Sequence, residues 1–408
     1  MPAWRYAIHD LITDTHITDL PLKNVSFDRR LCQPGAFSAT LPITNARVAA
    51  AAREVLPMDP GDLSRGPGRM VVHVWRNDRD LGQFIIWSAT INNSSGRTTV
   101  QLSGASLESW LHHRIIRHDL TYVGWDQVDL ARDLVYQAQH PPGGGTGYDI
   151  GLTYGGNQAS SRTRDRTYLA SETASYGQRL EELSQVDHGI EWLIVGREFQ
   201  ALTRATGSFG SYYEATYPGT ITDWSYLMDA AETGTSWQTR GARDDTTDEA
   251  FLSAVTTSTD HTSAGWPVLD QSIDYQGVVL TSTLDAYATW WRTHRSGISR
   301  ILQVTVASTD DNLGVPPERL GSDVMLSITD LMWPPGADGR PTLLGSRRVV
   351  GVELSPHDRG GPDRLRYIFE EPADNPREGI PQFPPDWGRH MSGVSARIHD
   401  AYTAATNR

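Results

Sequence analysis

The densest group of possible metal ligands is formed by His112, His113 and His118. Adjacent residues of a strand point to opposite faces, so His112 and His113 could not both bind one ion if this segment were extended. A zinc site also needs three or four converging ligands. The spacing therefore favours solvent-facing or interfacial histidines, and we predict no metal ligand.

A second candidate is the stretch Ser355–Asp363, SPHDRGGPD, which places a serine, a histidine and acids close together. A catalytic triad needs these groups to converge from separate elements, with the acid orienting the histidine. Pro356 and the Gly360-Gly361 pair instead predict a hairpin loop between two strands. We therefore predict no catalytic serine here.

Paired carboxylates occur in EELSQVD (181–187) and FEEPAD (369–374). Glycoside hydrolysis needs two carboxyl groups about 5–10 Å apart across a cleft, a distance that these spacings alone do not specify. The 13 tryptophans of the chain could stack on sugars, but they are scattered through predicted strands and helices. Packing in a core or a subunit interface is the commoner use of such residues.

Cofactor motifs are equally weak. The glycine-rich segment 141–151, PPGGGTGYDIG, lacks the Gly-Lys-Ser/Thr ending of a phosphate loop and follows a predicted helix end, so it is interpreted as a connector. Cys32 is the single cysteine, which excludes an intrachain disulfide and a cysteine-based zinc cage, and it is predicted to be a packed thiol. No cofactor is predicted.

Composition narrows the class of protein. A chain of 408 residues has room for two or three domains. The net charge of −13 argues against a nucleic-acid grip, which requires a basic face. No apolar run approaches the roughly 20 residues that span a bilayer, and the N-terminus lacks the apolar segment of a signal peptide. We expect the protein to stay in the compartment where it is made, with no membrane insertion.

Residues 1–106 read as consecutive antiparallel strands with turn signals between them, which predicts a small β-barrel or sandwich. The stretch Val25–Val48, VSFDRRLCQPGAFSATLPITNARV, contains two alternating runs around a turn. We predict a type II turn with Pro34 and Gly35 at its centre, because glycine tolerates the positive φ of that position.

Residues 107–216 change character and predict an α/β lobe. The segment LESWLHHRIIRHDL (107–120) fits either a helix or the exit of a strand. Helices are predicted at WDQVDLARDLVYQAQ (125–139) and TASYGQRLEELSQV (173–186), the second leading into strands at Ile190–Val195 and Glu198–Arg204.

Strands resume in residues 217–372 and predict a second barrel-like region containing one helix, Ser282–Ser296. Ser282 and Asp285 have the spacing of a capping box, and Gly297 supplies a C-terminal stop. Residues 373–408 are predicted to form a proline-rich arm and a short amphipathic helix.

Several stretches together carry a resemblance, namely LPLKNVSFDRRLCQPGAFSATLPI, FIIWSATINNSSGRTTVQLSGASLESWLHHRII, RDRTYLASETASYGQRLEELSQVDHGIEWLI, YPGTITDWSYLMD, TSWQTRGA, AGWPVLDQSIDY and RRVVGVELSPHDRGGPDRLRYIFEEP. Their order and spacing, over residues 2–372, resemble minor tail proteins of actinobacterial long-tailed phages, specifically the tail hub or tail-associated protein. That family is related to contractile-phage baseplate hubs and type VI spike hubs.

The resemblance implies a mainly β fold with an inserted α/β lobe, two tail-tube-like β-barrels in each chain, and a homotrimer whose pseudo-hexameric ring continues the tail tube. It implies a non-enzymatic protein at the distal tail tip of the virion, assembled in the cytoplasm of the host bacterium. The implied partners are further copies of the chain, the distal tail protein, the tape measure protein and other tail-tip proteins. Genome DNA would pass through the lumen without specific binding.

The length of the chain departs from this family, and one alternative function stays open. Many tail-associated proteins continue into a lysin, fibre or receptor-binding part, whereas this chain stops at Arg408. We expect those activities to reside in other proteins that this one supports, with the proline-rich arm either docking partners or folding back on its own trimer. The alternative from a different class is a monomeric carbohydrate-binding or glycan-cleaving β protein that uses exposed tryptophans.

Overall fold

The computed structural model describes residues 3–370, apart from 156–158, 185–188, 204–212, 232, 244–248, 276–277, 309–313, 316, 338, 342 and 358–360. The fold is mainly β, as predicted, with 48% of residues in strands and 19% in helices. Two compact units are present. The first comprises the described residues of Met1–Asp223 and Val304–Ile368, and the second comprises those of Trp224–Gln303 together with residues 369–370.

The strands follow in this order: β1 (Trp4–Asp10), β2 (His16–Asp19), β3 (Lys23–Arg30), β4 (Ala36–Ile43), β5 (Met70–Arg76), β6 (Arg79–Ser94), β7 (Arg97–Ser106), β8 (Leu120–Asp126), β9 (Thr153–Gly155), β10 (Thr163–Tyr168), β11 (Ile190–Val195), β12 (Glu198–Thr203), β13 (Tyr213–Tyr217), β14 (Ile221–Asp229), β15 (Ser236–Arg243), β16 (Ala250–Leu252), β17 (Thr256–Thr257), β18 (Asp270–Asp274), β19 (Ser299–Ser308), β20 (Asp323–Ile328), β21 (Leu343–Ser355) and β22 (Asp363–Phe369).

The helices are α1 (Ala46–Val55), α2 (Glu108–His112), α3 (Gln127–Gln139), α4 (Tyr176–Ser184), α5 (Thr259–Ser263) and α6 (Thr281–Arg295). Two short 3-10 helices cover Ala170–Glu172 and Pro317–Arg319. Among the described helices, none is long and apolar enough to cross a membrane.

The first unit is built on a large sheet whose strands follow the order β22-β21-β3-β4-β7-β6-β5-β1-β2, with β20 pairing with β21 and β13 pairing with β20. The predicted alternation of β4 is present, because Phe37, Ala39 and Leu41 are buried while Ala36 and Ser38 are exposed. The buried rings of β3, β4 and β6 meet in this core, with Phe84 lying 5.3 Å from both Phe27 and Phe37 between ring centroids.

The predicted type II turn at Pro34-Gly35 is wrong. The chain turns at Leu31 and Cys32 instead, where Cys32 adopts the left-handed φ of 60°. Gly35 does not have a positive φ. Glycine is needed at this position because there is no room for a side chain, since a Cβ there would collide with the carbonyl oxygen of Asp28. Close backbone approach and a left-handed turn favour glycine equally, so the sequence alone does not distinguish them.

The strands near the end of the chain join those near its beginning. β21 pairs antiparallel with β3, with Gly351 opposite Arg30 and Leu354 opposite Phe27. The strand order of the described residues does not return to its first strand, and the predicted two-barrel arrangement is not confirmed. Pairing over more than 300 residues of sequence depends on tertiary structure rather than on local pattern.

The two helices and two strands predicted within residues 125–204 are present in the first unit. α3 is capped by Asp126, whose carboxylate accepts a hydrogen bond of 2.9 Å from the Val128 amide, and its buried face carries the predicted apolar residues. The ambiguous segment 107–120 contains the short helix α2 and then the start of β8. β11 and β12, the two predicted strands, pair antiparallel, and β9 adds to β12 in parallel.

The second unit contains a four-stranded sheet in which β15 pairs with β16, β17 and β18, and α6 packs against β15. Its core is aromatic, with the rings of Trp237 and Trp291 stacked 5.1 Å apart. The predicted capping box of α6 is absent, because the Asp285 carboxylate accepts a 2.7 Å hydrogen bond from the Ala254 amide instead. Gly297, with φ of 89°, follows the helix end as predicted. The predicted arm and terminal helix in 373–408 lie outside the described residues.

Candidate functional site

The structure separates the histidines that the sequence brought together. His112 ends α2, and its Nε2 lies 3.2 Å from Oε1 of Glu181 on α4. The ring of His113 lies 4.2 Å from that of Trp87. Since the two adjacent rings have different partners on different elements, they do not form a common ligand set.

The serine, histidine and acid of 355–363 do not form a hydrogen-bonded chain in the described residues. Ser355 Oγ lies 3.4 Å from Ser26 Oγ, and the Gly361 amide donates to Nδ1 of His357 at 2.9 Å. Asp363 instead accepts a 3.0 Å hydrogen bond from Nε of Arg76, deep in the core. The segment thus connects β21 to β22, as predicted, and its aspartate is structural.

The other chemical candidates are likewise part of the packing. Cys32 is buried, and burial raises the pKa of its thiol to about 12, so it is protonated and unreactive at neutral pH. Glu181 pairs with His112, and Glu182 pairs with Arg179. Within the two acidic stretches, residues 185–187 and 371–374 lie outside the described residues.

The described tryptophans are mostly buried or partly buried. Trp110, Trp192, Trp237 and Trp291 are buried. Of the tryptophans that the structure describes, only Trp125 is exposed, with 43% of its surface accessible. A sugar-binding platform usually needs several exposed rings on one face, and the described surface does not supply them.

A groove of about 960 Å³ lies beside β2, the strand at one end of the large sheet. It is lined by β2, by the first turns of α1 and by the connection between β21 and β22. Arg5, Lys23 and Arg47 lie on its walls and are exposed, and Asp19 and Asp363 line it as well, so the groove carries charges of both signs.

A cluster of titratable residues lies on β1, β2 and β5, and one of its members, His16, also lines the groove. His16 of β2 pairs with His9 of β1, and His73 of β5 lies opposite Ala7. Residues opposite each other, and residues two apart on one strand, share a face of a sheet, so the three histidines form a row across three strands. The His9 and His73 rings stack with centroids 3.9 Å apart, and the His16 ring lies 5.3 Å from that of His9.

Asp14 closes this row from the turn between β1 and β2, where it adopts a left-handed φ of 55°. Its Oδ1 lies 3.0 Å from Nε2 of His73 and 3.4 Å from Nδ1 of His9. Nη2 of Arg197 lies 3.0 Å from the same oxygen. Burial, and next the positive charge of His9, lower the pKa of His73 to about 4, so this ring is neutral at pH 7.

The sequence alone did not predict this cluster, because His73 is far along the chain from His9, Asp14 and His16. The sequence did contain one signal for part of this cluster. If the first two predicted strands pair across a tight turn, His9 and His16 face each other, and Asp14 lies in the connection. The third histidine could be placed only once the pairing of β1 with β5 was known.

Comparison with solved structures relates the fold to phage tails. The chain is similar to the tail protein from Neisseria meningitidis MC58 (TM-score 0.54, 12% identity, 90% of this chain and 96% of that chain covered). It is also similar to the 43 kDa tail protein of prophage MuSo2 from Shewanella oneidensis (0.58, 10%, 90% and 98%) and to prophage tail protein gp18 from Listeria monocytogenes EGD-e (0.53, 8%, 98% and 99%).

No protein-family model matches the chain, and no curated protein matches it by sequence. Identities of 8–12% establish a shared fold rather than a shared activity. The likeness nevertheless covers nearly the full length of each chain. This protein therefore has the fold of prophage tail proteins.

Proposed function

We propose that this chain is a structural protein of a long-tailed phage virion, a trimeric tail-tip hub that continues or closes the tail tube. In this role it serves as the platform for tail-tip and receptor-binding proteins during attachment and DNA ejection, with no catalytic step. Its partners are two further copies of itself, the distal tail protein, the tape measure protein and other tail-tip proteins. Its place is the distal end of the tail.

The observation that carries this proposal is the end-to-end similarity of fold to three tail proteins, two of them from prophages. The placement of the residues agrees with it. Cys32, Asp363 and the histidines His112 and His113 are occupied by packing contacts, and the described surface lacks a group of exposed tryptophans.

An unpaired strand edge suggests how copies associate. Within the described residues, β2 pairs with β1 alone and ends the large sheet. An unpaired edge readily adds a strand from another chain. In a ring of three, each contact joins two different surfaces of the chain, and the ring then closes without leaving such an edge free.

Charge also suits a conduit for DNA. Three chains of net charge −13 carry −39 together. If these acids line the bore, they repel the phosphates of the passing DNA rather than holding them. A basic bore in an experimental structure of the assembly would contradict this part of the proposal.

Molar mass measured by light scattering tests the assembly directly. A trimer gives three times 45.1 kDa, and a monomer gives 45.1 kDa. A stable interface should also bury well over roughly 1,000 Å². A monomer at every concentration, together with glycan binding or release of reducing sugar, would support the alternative of a carbohydrate-active β protein.

A charge at the edge strand tests the role of β2. Ile17→Lys places a cation on this edge, which is a common way for proteins to prevent strand addition, and should shift the mass towards that of a monomer. Leu63→Lys is the matched control, because Leu63 is an apolar residue with 83% exposure in a loop outside the strands and should leave the trimer intact. An unchanged mass for Ile17→Lys would exclude this edge as the contact.

A further inference from the structure

We propose that His9, His73 and Asp14 form a binding site for a divalent transition-metal ion of the zinc type. The site lies where the β1–β2 turn meets β5. This goes beyond the proposed role in the tail, and it concerns residues that the sequence interpretation assigned no function. The donor set, the distances between the donor atoms and the carboxylates that flank His73 support this site.

The donor set suits zinc. Imidazole nitrogens and carboxylate oxygens are among the usual ligands of Zn²⁺, at about 2.0–2.2 Å. Donors around a tetrahedral ion at such distances are roughly 3.3–3.5 Å apart. The candidate atoms of the three residues all lie within 4.8 Å of one another, and two of the pairs are 3.0 and 3.4 Å apart. Small side-chain movements are sufficient to bring them to one ion.

Both ring nitrogens of His73 face carboxylate oxygens. Its Nε2 faces Asp14 Oδ1 at 3.0 Å, and its Nδ1 faces Asp80 Oδ2 at 3.7 Å. In the proposed site Nε2 binds the ion beside Asp14, and Nδ1 is directed at Asp80.

Asp80 then acts as the outer partner of a bound histidine. Metal-binding histidines usually donate their second ring nitrogen to a carboxylate or carbonyl, which fixes the tautomer and the ring orientation. Asp80 is itself held by the Gly82 amide at 3.0 Å and by Nε2 of Gln83 at 3.2 Å. The carboxylate is therefore positioned before any ion arrives.

Further oxygen and nitrogen donors are close. The carbonyl oxygen of Asp14 lies 2.9 Å from Nδ1 of His9. His16, next in the histidine row and half exposed, can supply a fourth ligand after leaving Asp19 Oδ1, which lies 3.0 Å from its Nε2. A water molecule at this exposed side of the site can supply the fourth ligand instead.

Arg197 is the competing cation. Its Nη2 contacts Asp14 Oδ1, and its Nη1 donates to the carbonyl oxygens of Leu11 and Ile150. Those two carbonyls keep the guanidinium in place when an ion takes over the carboxylate. Its charge nonetheless weakens cation binding, so the site is expected to hold transition metals, which bond to imidazole, and not Mg²⁺.

Calorimetric titration of the full chain, stripped of metal and free of any histidine tag, with ZnCl₂ tests the site. We expect one tight equivalent in the wild type, and affinity weakened at least tenfold in Asp14→Asn and in His9→Gln. Asparagine also tolerates the left-handed conformation of residue 14, so the first variant changes the ligand and not the turn. Asp80→Asn should weaken binding roughly tenfold through the outer partner.

His140→Gln is the matched control, since His140 is an exposed histidine outside the cluster and its loss should leave the titration unchanged. Circular dichroism of each variant verifies folding, and a zinc-dependent rise in Tm of the wild type, absent from His9→Gln, gives a second readout. No binding by the wild type, or equal loss in His140→Gln, would overturn the proposal. Because the mass of the assembly is measured separately, failure of this site and failure of the trimer are distinguishable.

Discussion

At the scale of single residues, a buried ion pair joins Asp363, at the start of β22, to Arg76, at the end of β5. Arg76 and Asp363 are 6% and 1% exposed, and Nε lies 3.0 Å from Oδ2. Asp363 also accepts from Nε1 of Trp4 at 3.2 Å. Asp363→Asn leaves the guanidinium without its counter-ion in the core, and we expect the free energy of unfolding to fall by about 3 kcal/mol or more, measured by urea denaturation.

The control is the same substitution at an exposed pair. Asp274 and Arg240 are about half exposed and 3.3 Å apart, so Asp274→Asn should cost under about 1 kcal/mol. Equal losses for the two variants would show that the core pair contributes nothing beyond a surface contact. Replacing both partners, as Arg76→Met with Asp363→Leu, should recover much of the loss.

At the scale of elements, the turn between β3 and β4 depends on Gly35. Gly35→Ala inserts a methyl group against the Asp28 carbonyl, so we expect a loss of about 3 kcal/mol in denaturant unfolding. Gly145→Ala is the comparison, because its Cβ meets open space and its φ is not left-handed, and it should change stability by under about 0.5 kcal/mol. A stable Gly35→Ala protein would refute the close approach.

The N-terminus of α3 provides a pH-dependent prediction. Burial alone raises the pKa of Asp126, but hydrogen bonds from Ser160 and Val128 outweigh it and hold the pKa below 3.8. A depressed folded-state pKa gives stability that is present above the unfolded pKa and lost as pH falls through the folded one. Asp126→Ala should cost about 1 kcal/mol at pH 7.

Asp126→Asn separates the charge from the cap. Asparagine retains the oxygen that accepts from the Val128 amide, so the difference from wild type should be small, and it should shrink further as the pH falls from 5 to 2. A difference that grows on acidification would reverse the sign of the predicted shift. Thermal unfolding followed by circular dichroism at several pH values gives both comparisons.

At the scale of the whole molecule, the proposed trimer makes stability depend on concentration. If unfolding separates three chains, dilution favours the unfolded state by mass action. We therefore expect Tm to fall steadily over a hundredfold dilution in differential scanning fluorimetry. The Ile17→Lys variant, if monomeric, should show a Tm that does not change with dilution. A wild-type Tm independent of concentration would argue for a monomer.

The sequence by itself determined most of the local structure. Alternation located β4, helical periodicity located α3, and the glycine after α6 marked its end, because these signals arise from neighbours along the chain. At Gly35 the local signals predicted the wrong turn, because glycine is required there by the close approach of the Asp28 carbonyl on the facing strand. The capping box at Ser282 failed because Asp285 is occupied by Ala254.

Only the tertiary structure decided which strands share a sheet and which side chains meet. The pairing of β21 with β3, the burial of Asp363 against Arg76, and the row of His9, His16 and His73 all join distant parts of the chain. Such contacts arise from packing over the whole fold, since a single sequence specifies which face of a strand is apolar but not which strand lies next to it.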